Sequence, residues 1–157
     1  MSAQPTASDG WHLPLRHVRA GGLCAETAQT PGMTRREAVS AATVGAQRIW
    51  MGQTSVAPHT GSGDHHHGDS ETAIYVVSGH PVFVFAEHGE EVRLETCPGD
   101  YVFVPPYTPH REENPGGEEA AIGYTIPNLL IDHAMRTPHV PPGFWRGVNL
   151  NQNTIYL

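Results

Sequence analysis

Three consecutive histidines, His65-His66-His67, sit in the middle of this chain, between the small polar run Gly61-Ser62-Gly63-Asp64 and an apolar segment, Ala73-Ile74-Tyr75-Val76-Val77. A fourth, His110, follows the rigid run Pro105-Pro106-Tyr107-Thr108-Pro109. On extended backbone alternate side chains share a face, so His65 and His67 converge while His66 points away. Two imidazoles on one face, joined by a third from a distant strand, make a metal site. The fold must therefore bring residues 65–67 beside residue 110, which an antiparallel sheet of short strands does.

Composition agrees with such a sheet. The chain has 157 residues, enough for one domain over 1–157 with its own core. It carries 17 Gly and 14 Pro and only 16% charged residues, a mixture that suits many turns better than a helical bundle. The formal net charge of -7 argues against nucleic-acid and anionic-membrane partners. No apolar stretch reaches membrane-spanning length. The first residues, Met-Ser-Ala-Gln-Pro-Thr, lack the basic start and apolar run of a secretory signal, so a cytoplasmic location is expected. Cys24 and Cys97 make no disulfide framework and read as small packed side chains.

Strands are expected over 13–18 (weakly), 33–44, 46–57, 73–77, 81–86, 91–95, 101–104 and 120–126, with 59–64 a loop. The arms 81–86 and 91–95 form a hairpin around His88-Gly89. Only residues 129–135 hint at a helical turn, so the class is all-β, a sandwich or barrel. Trp50, Tyr75, Phe83, Phe85, Tyr101, Phe103, Met33 and Met51 read as core, and Arg35-Arg36 as a surface pair. Residues 1–30 form an N-terminal arm. The tail 128–157 is rich in Pro, Asn and aromatics and needs a surface to lie on.

Two motifs carry a resemblance. Gly99, five residues, Pro105, then His110 and Asn114 form one. His65-x-His67, four residues, Thr72, six residues and Gly79 form the other. Together they resemble the cupin superfamily, small jelly-roll barrels, over about residues 46–126. The resemblance departs from the pattern in three places. Family members usually have a glutamate ligand at Thr72, often a glycine at Tyr107 and often a loop glycine at His59. Glu71 stands one residue from the glutamate position, and a one-residue offset on a strand reverses the face. Thr72 is therefore expected to face the metal and Glu71 to face away. Met33-Thr34-Arg35-Arg36, Trp50, His65-His66-His67-Gly68-Asp69, the run 71–79 and Pro105-x3-Pro109-His110-Arg111 are similar to a narrower group, the cupin-type aromatic polyketide cyclases of actinomycetes.

The resemblance implies metal ligands His65, His67 and His110. His59 is the best-placed fourth, with Glu71 or a water as alternatives. Imidazole donors suit zinc, iron(II) and nickel, and loss of the usual glutamate turns the site away from manganese. Zinc is the first choice for non-redox chemistry. The implied reaction is an intramolecular aldol cyclisation and aromatisation of a poly-β-ketone, in which the metal polarises a carbonyl and stabilises the enolate. An acyl carrier protein could present the substrate, and a homodimer is expected. The alternatives are a non-haem iron dioxygenase acting on a diketone, or a small-molecule-binding cupin without turnover.

Overall fold

The computed structural model describes residues 14–27 and 29–127. The helical turn expected at 129–135 and the tail lie outside the described residues. Nine strands follow in chain order: β1 (Met33–Val39), β2 (Ile49–Val56), β3 (Thr60–Gly61), β4 (Thr72–Ser78), β5 (Val82–Glu87), β6 (Glu90–Glu95), β7 (Tyr101–Val104), β8 (His110–Asn114) and β9 (Ala120–Pro127). They form two antiparallel sheets, a five-stranded one in the order β1-β2-β9-β4-β7 and a four-stranded one in the order β3-β8-β5-β6. This is the jelly-roll sandwich expected of the sequence. No helix among the described residues is long and apolar enough to cross a membrane.

Most of the strand readings hold, with local shifts. Residues 14–18 form no strand. The long strand expected over 33–44 stops at Val39, and Ala41–Val44 is a short helix, α1. Ser40 explains the break. Its Oγ accepts from the N–H of Ala42 and of Thr43, while Thr43 Oγ1 accepts from the N–H of Ser40. This reciprocal cap satisfies the first helical donors and overrides strand propensity. The expected loop 59–64 contains β3, which pairs Thr60 with Asn114.

Between the sheets Trp50, Ile74, Val76, Phe83, Val104, Ile122 and Tyr124 form the main core. Trp50 lies over Gly52, where an added Cβ would come 2.2 Å from Trp50 Cη2. Its ring packs on Tyr124 at 4.9 Å and its Nε1 donates to Glu37 at 3.0 Å. Several residues read as core are exposed instead: Met51, Tyr75, Tyr101 and Phe103. The strand period explains it. Thr72, Ile74 and Val76 point inward, so Ala73, Tyr75 and Val77 point out, and the outward Tyr75 pairs with Tyr101 across the strands. Arg35 corrects the reading in the other direction: it is buried on β1 while Arg36 is exposed.

Strand β8 alternates in the same way. His110, Glu112 and Asn114 are buried; Arg111 and Glu113 face outward and join Asp64, Glu91 and Arg93 in an ion-pair network. Asn114 ties the ends of three segments together. Its Nδ2 donates to the carbonyls of Val56, Ala57 and Glu118, and its Oδ1 accepts from the N–H of Gly116. Substituting Asn114→Ala strands several buried backbone groups at once. It is expected to lower stability by about 2–4 kcal/mol, read as a shift in urea midpoint at constant slope.

Candidate metal centre

His65 lies between β3 and β4 and pairs as an antiparallel bridge with His110, the first residue of β8. Each N–H donates to the other's carbonyl at 2.9 Å. Directly opposed residues in such a pair share a face, so the two rings meet with centroids 4.4 Å apart. His67, two residues on, brings its ring to 5.2 Å from His65 and 4.9 Å from His110. All three are buried, and their ligand nitrogens lie within 4.8 Å of one another.

The other ring nitrogens are anchored. Nδ1 of His65 lies 2.9 Å from the carbonyl of Gly63, and Nδ1 of His110 lies 2.9 Å from the carbonyl of Thr108. A carbonyl only accepts, which assigns the proton to Nδ1 and the lone pair to Nε2. His67 Nδ1 is held at 2.5 Å by the hydroxyl of Thr72. The three Nε2 atoms are buried and have no hydrogen-bond partner among the described residues. An unmet buried polar group costs about 1–3 kcal/mol, and three of them aimed at one another fit a metal ion. Burial brings His65 down to about 4 and holds His67 well below its ordinary value, so both rings stay neutral, as ligation requires.

One residue that the sequence reading passed over lies beside two of these rings. Glu112 is buried, with Oε1 3.6 Å from His110 Nε2 and Oε2 3.8 Å from His65 Nε2. These separations are too long for hydrogen bonds. Ser62 Oγ donates to Glu112 Oε2 at 2.8 Å and accepts from the Glu112 N–H at 2.9 Å, which fixes the side chain. Burial alone would raise the carboxyl, but positive charge on the His65 and His110 rings, where they are protonated, outweighs it and holds the group well below the usual carboxylate range. Glu112 was legible in principle: it stands two residues after His110, hence on the same face of a strand.

Beside His67 and Glu112 is a small enclosed cavity of about 20 Å³, lined also by Met33, Arg35, Thr54, Thr72, Ile74, Ile122 and Tyr124. That is room for about one water molecule. Burial pushes the Tyr124 phenol up to about 12, so it is a neutral donor.

The structure brings His65, His67 and His110 together and leaves His59 out. His59 is exposed, and it lines an outer groove with Arg111 and Glu113 rather than the interior. Its φ of 55° lies in the left-handed region that favours glycine. Tyr107, with φ 57°, occupies the same kind of position, and its side chain is exposed. Thr72 faces inward and Glu71 outward, as the spacing from Gly79 requires. His66 is buried and its Nδ1 accepts from the N–H of Gly68 at 2.9 Å, a packing role.

Two outcomes follow. Thr72→Val keeps the shape but removes the bond to His67 Nδ1, and is expected to weaken metal affinity about 10–100-fold in a competition titration. The metal-free protein is expected to lose stability in chemical denaturation as pH falls from 6.5 toward 4. His65 and His67 take up protons in that window only when unfolded, so the unfolded state gains. His110, raised by Glu112 against the effect of burial, opposes this by losing its contribution as pH rises.

The cupin domain family matches residues 52–127. The chain is 32% identical over 98 residues to the tetracenomycin polyketide synthase protein TcmJ of Streptomyces glaucescens; the match spans 62% of this chain and 63% of that protein. Its fold superposes on the polyketide cyclase RemF of Streptomyces resistomycificus with a TM-score of 0.62 at 22% identity, covering 84% of this chain and 91% of the other. It also superposes on a conserved cupin barrel protein of Salinispora arenicola, with a TM-score of 0.55 at 20% identity over 78% and 96% of the two chains. Two buried histidine segments in an antiparallel jelly roll, with a cupin domain matched over residues 52–127, make this a chain with a cupin domain that resembles the aromatic polyketide cyclases.

Proposed function

We propose that the chain is a metal-dependent polyketide cyclase. The observation that carries this reading is the buried triangle of three partnerless Nε2 atoms on His65, His67 and His110. It stands in a cupin 32% identical to a protein named for a polyketide synthase. Zinc is the ion we favour, since imidazole donors suit it and the reaction moves no electrons between metal and substrate. Bound there, a divalent ion supplies Lewis acidity toward a ketone oxygen.

The rest of the chemistry falls to the chain's own groups. In an aldol cyclisation a proton leaves the carbon between two ketones, and that carbon bonds to a third carbonyl carbon. The oxygen of that carbonyl gains negative charge and then a proton, and water is lost as the ring becomes aromatic. Tyr124, protonated at neutral pH, and the permanently charged Arg35 line the cavity where that oxygen would develop. Donors held ready in a dry site stabilise such charge by several kcal/mol. As it stands the cavity admits about one water, so a polyketide, free or on an acyl carrier protein, is accommodated only if the cavity enlarges.

Protein purified without added metal is expected to hold near-stoichiometric zinc. Cyclisation of a poly-β-ketone should stop on chelation and return with zinc. His110→Ala is expected to abolish metal binding, while His59→Ala leaves it intact. Absence of any metal would sink the reading, and iron that consumes oxygen with a diketone would replace it with a dioxygenase.

A further inference from the structure

Glu112 is the only buried carboxylate among the described residues. A charge withdrawn from water costs several kcal/mol unless it is compensated in place. Ser62 satisfies one oxygen, Oε2, with one hydrogen bond. Beyond that, the carboxylate is turned toward the two Nε2 atoms that themselves lack partners, Oε1 toward His110 and Oε2 toward His65. The carboxylate and these two imidazoles thus face one another with no proton to share at hydrogen-bond distance. A divalent cation held by the histidines would compensate all three groups.

We propose that Glu112 is the fourth protein ligand of this centre and its anionic one. The inference rests on the metal reading above and deepens it. Two donors on one first-row ion at about 2.0–2.2 Å stand roughly 3–3.5 Å apart. The separations, 3.6 Å from Oε1 to His110 and 3.8 Å from Oε2 to His65, exceed that by a few tenths of an ångström, so ligation requires the carboxylate to turn one oxygen toward the ion. The backbone supports the placement. Glu112 follows His110 by one strand period on β8, so both side chains leave the same strand toward the same point. Ser62, bonded to both the side chain and the N–H of Glu112, holds that direction.

This assignment also explains Thr72. The carboxylate comes from β8, and the inward position on β4 is left to a short hydroxyl that steadies His67. A glutamate at both positions would place two carboxylates on one ion and lower its Lewis acidity. With one, the ion keeps a net positive charge while its affinity exceeds that of three neutral imidazoles.

The experiment is metal binding without turnover. Metal-free wild type, Glu112→Gln and Glu112→Asp are titrated with zinc against a coloured chelator, and with cobalt(II) while the visible absorption is recorded. Wild type is expected to bind one equivalent. Glu112→Gln is expected to lose at least about 100-fold in zinc affinity, beyond the 10–100-fold effect of an outer-shell partner. Its cobalt bands should also change in position and intensity. Glu112→Asp keeps the charge but draws the oxygens back by one methylene. It should show the same loss, and it decides the matter if Glu112→Gln fails to fold. Zinc affinity within threefold of wild type, or weakened binding with an unchanged cobalt spectrum, overturns direct ligation and leaves the three-histidine centre standing. A wild type that takes up neither metal overturns the metal reading and this inference together.

Discussion

The pair of backbone hydrogen bonds between His65 and His110 is the contact on which the rest of the site depends. It joins the segment after β3 to the start of β8 and brings two imidazoles together on one face before any side chain contributes. A third ring then needs only the strand period to arrive, through His67. The carbonyls of Gly63 and Thr108, each two residues before the histidine it holds, fix the ring orientations from within the same two segments. The geometry of the centre is therefore a property of two short stretches of backbone and is little affected by movement elsewhere.

Around it the sandwich is built so that polar groups can be buried safely. Asn114 closes the ends of β2, β8 and the turn before β9 with its own amide, so no loop carbonyl is lost in the interior. Trp50 lies flat only because residue 52 has no side chain, and it packs beside Tyr124, whose phenol lines the cavity next to the histidines. The core thus holds the apolar half of the molecule against a polar interior containing a guanidinium, a carboxylate, a phenol and three imidazoles. Such a concentration of buried ionisable groups is costly to fold and is the mark of a site.

Local patterns in the sequence carried a long way. Alternation and turn residues located β2 and β4 through β7 and β9 within a few residues, because each has its own period and its own Gly or Pro boundary. The motif spacing singled out His65, His67 and His110 and set Thr72 inward against Glu71. The reading failed where the deciding interaction was not periodic. Ser40 ends β1 through a cap, and the aromatics of β4 and β7 are exposed because strand alternation, not size, decides which face they lie on. His59, the expected fourth ligand, stands exposed on left-handed backbone, outside the histidine triad.

Sequence alone determined the sheet-rich class, the two histidine segments and the side of the strand on which each side chain would lie, since these follow from a two-residue period and from turn chemistry. Tertiary structure alone decided which inward-facing residues meet. Arg35, Tyr124 and Glu112 sit on three different strands, and their closeness to the histidines depends on sheet order and on the way one sheet packs over the other. Strand order is fixed by long-range hydrogen bonding and by the burial of a shared core, neither of which leaves a local mark on the chain.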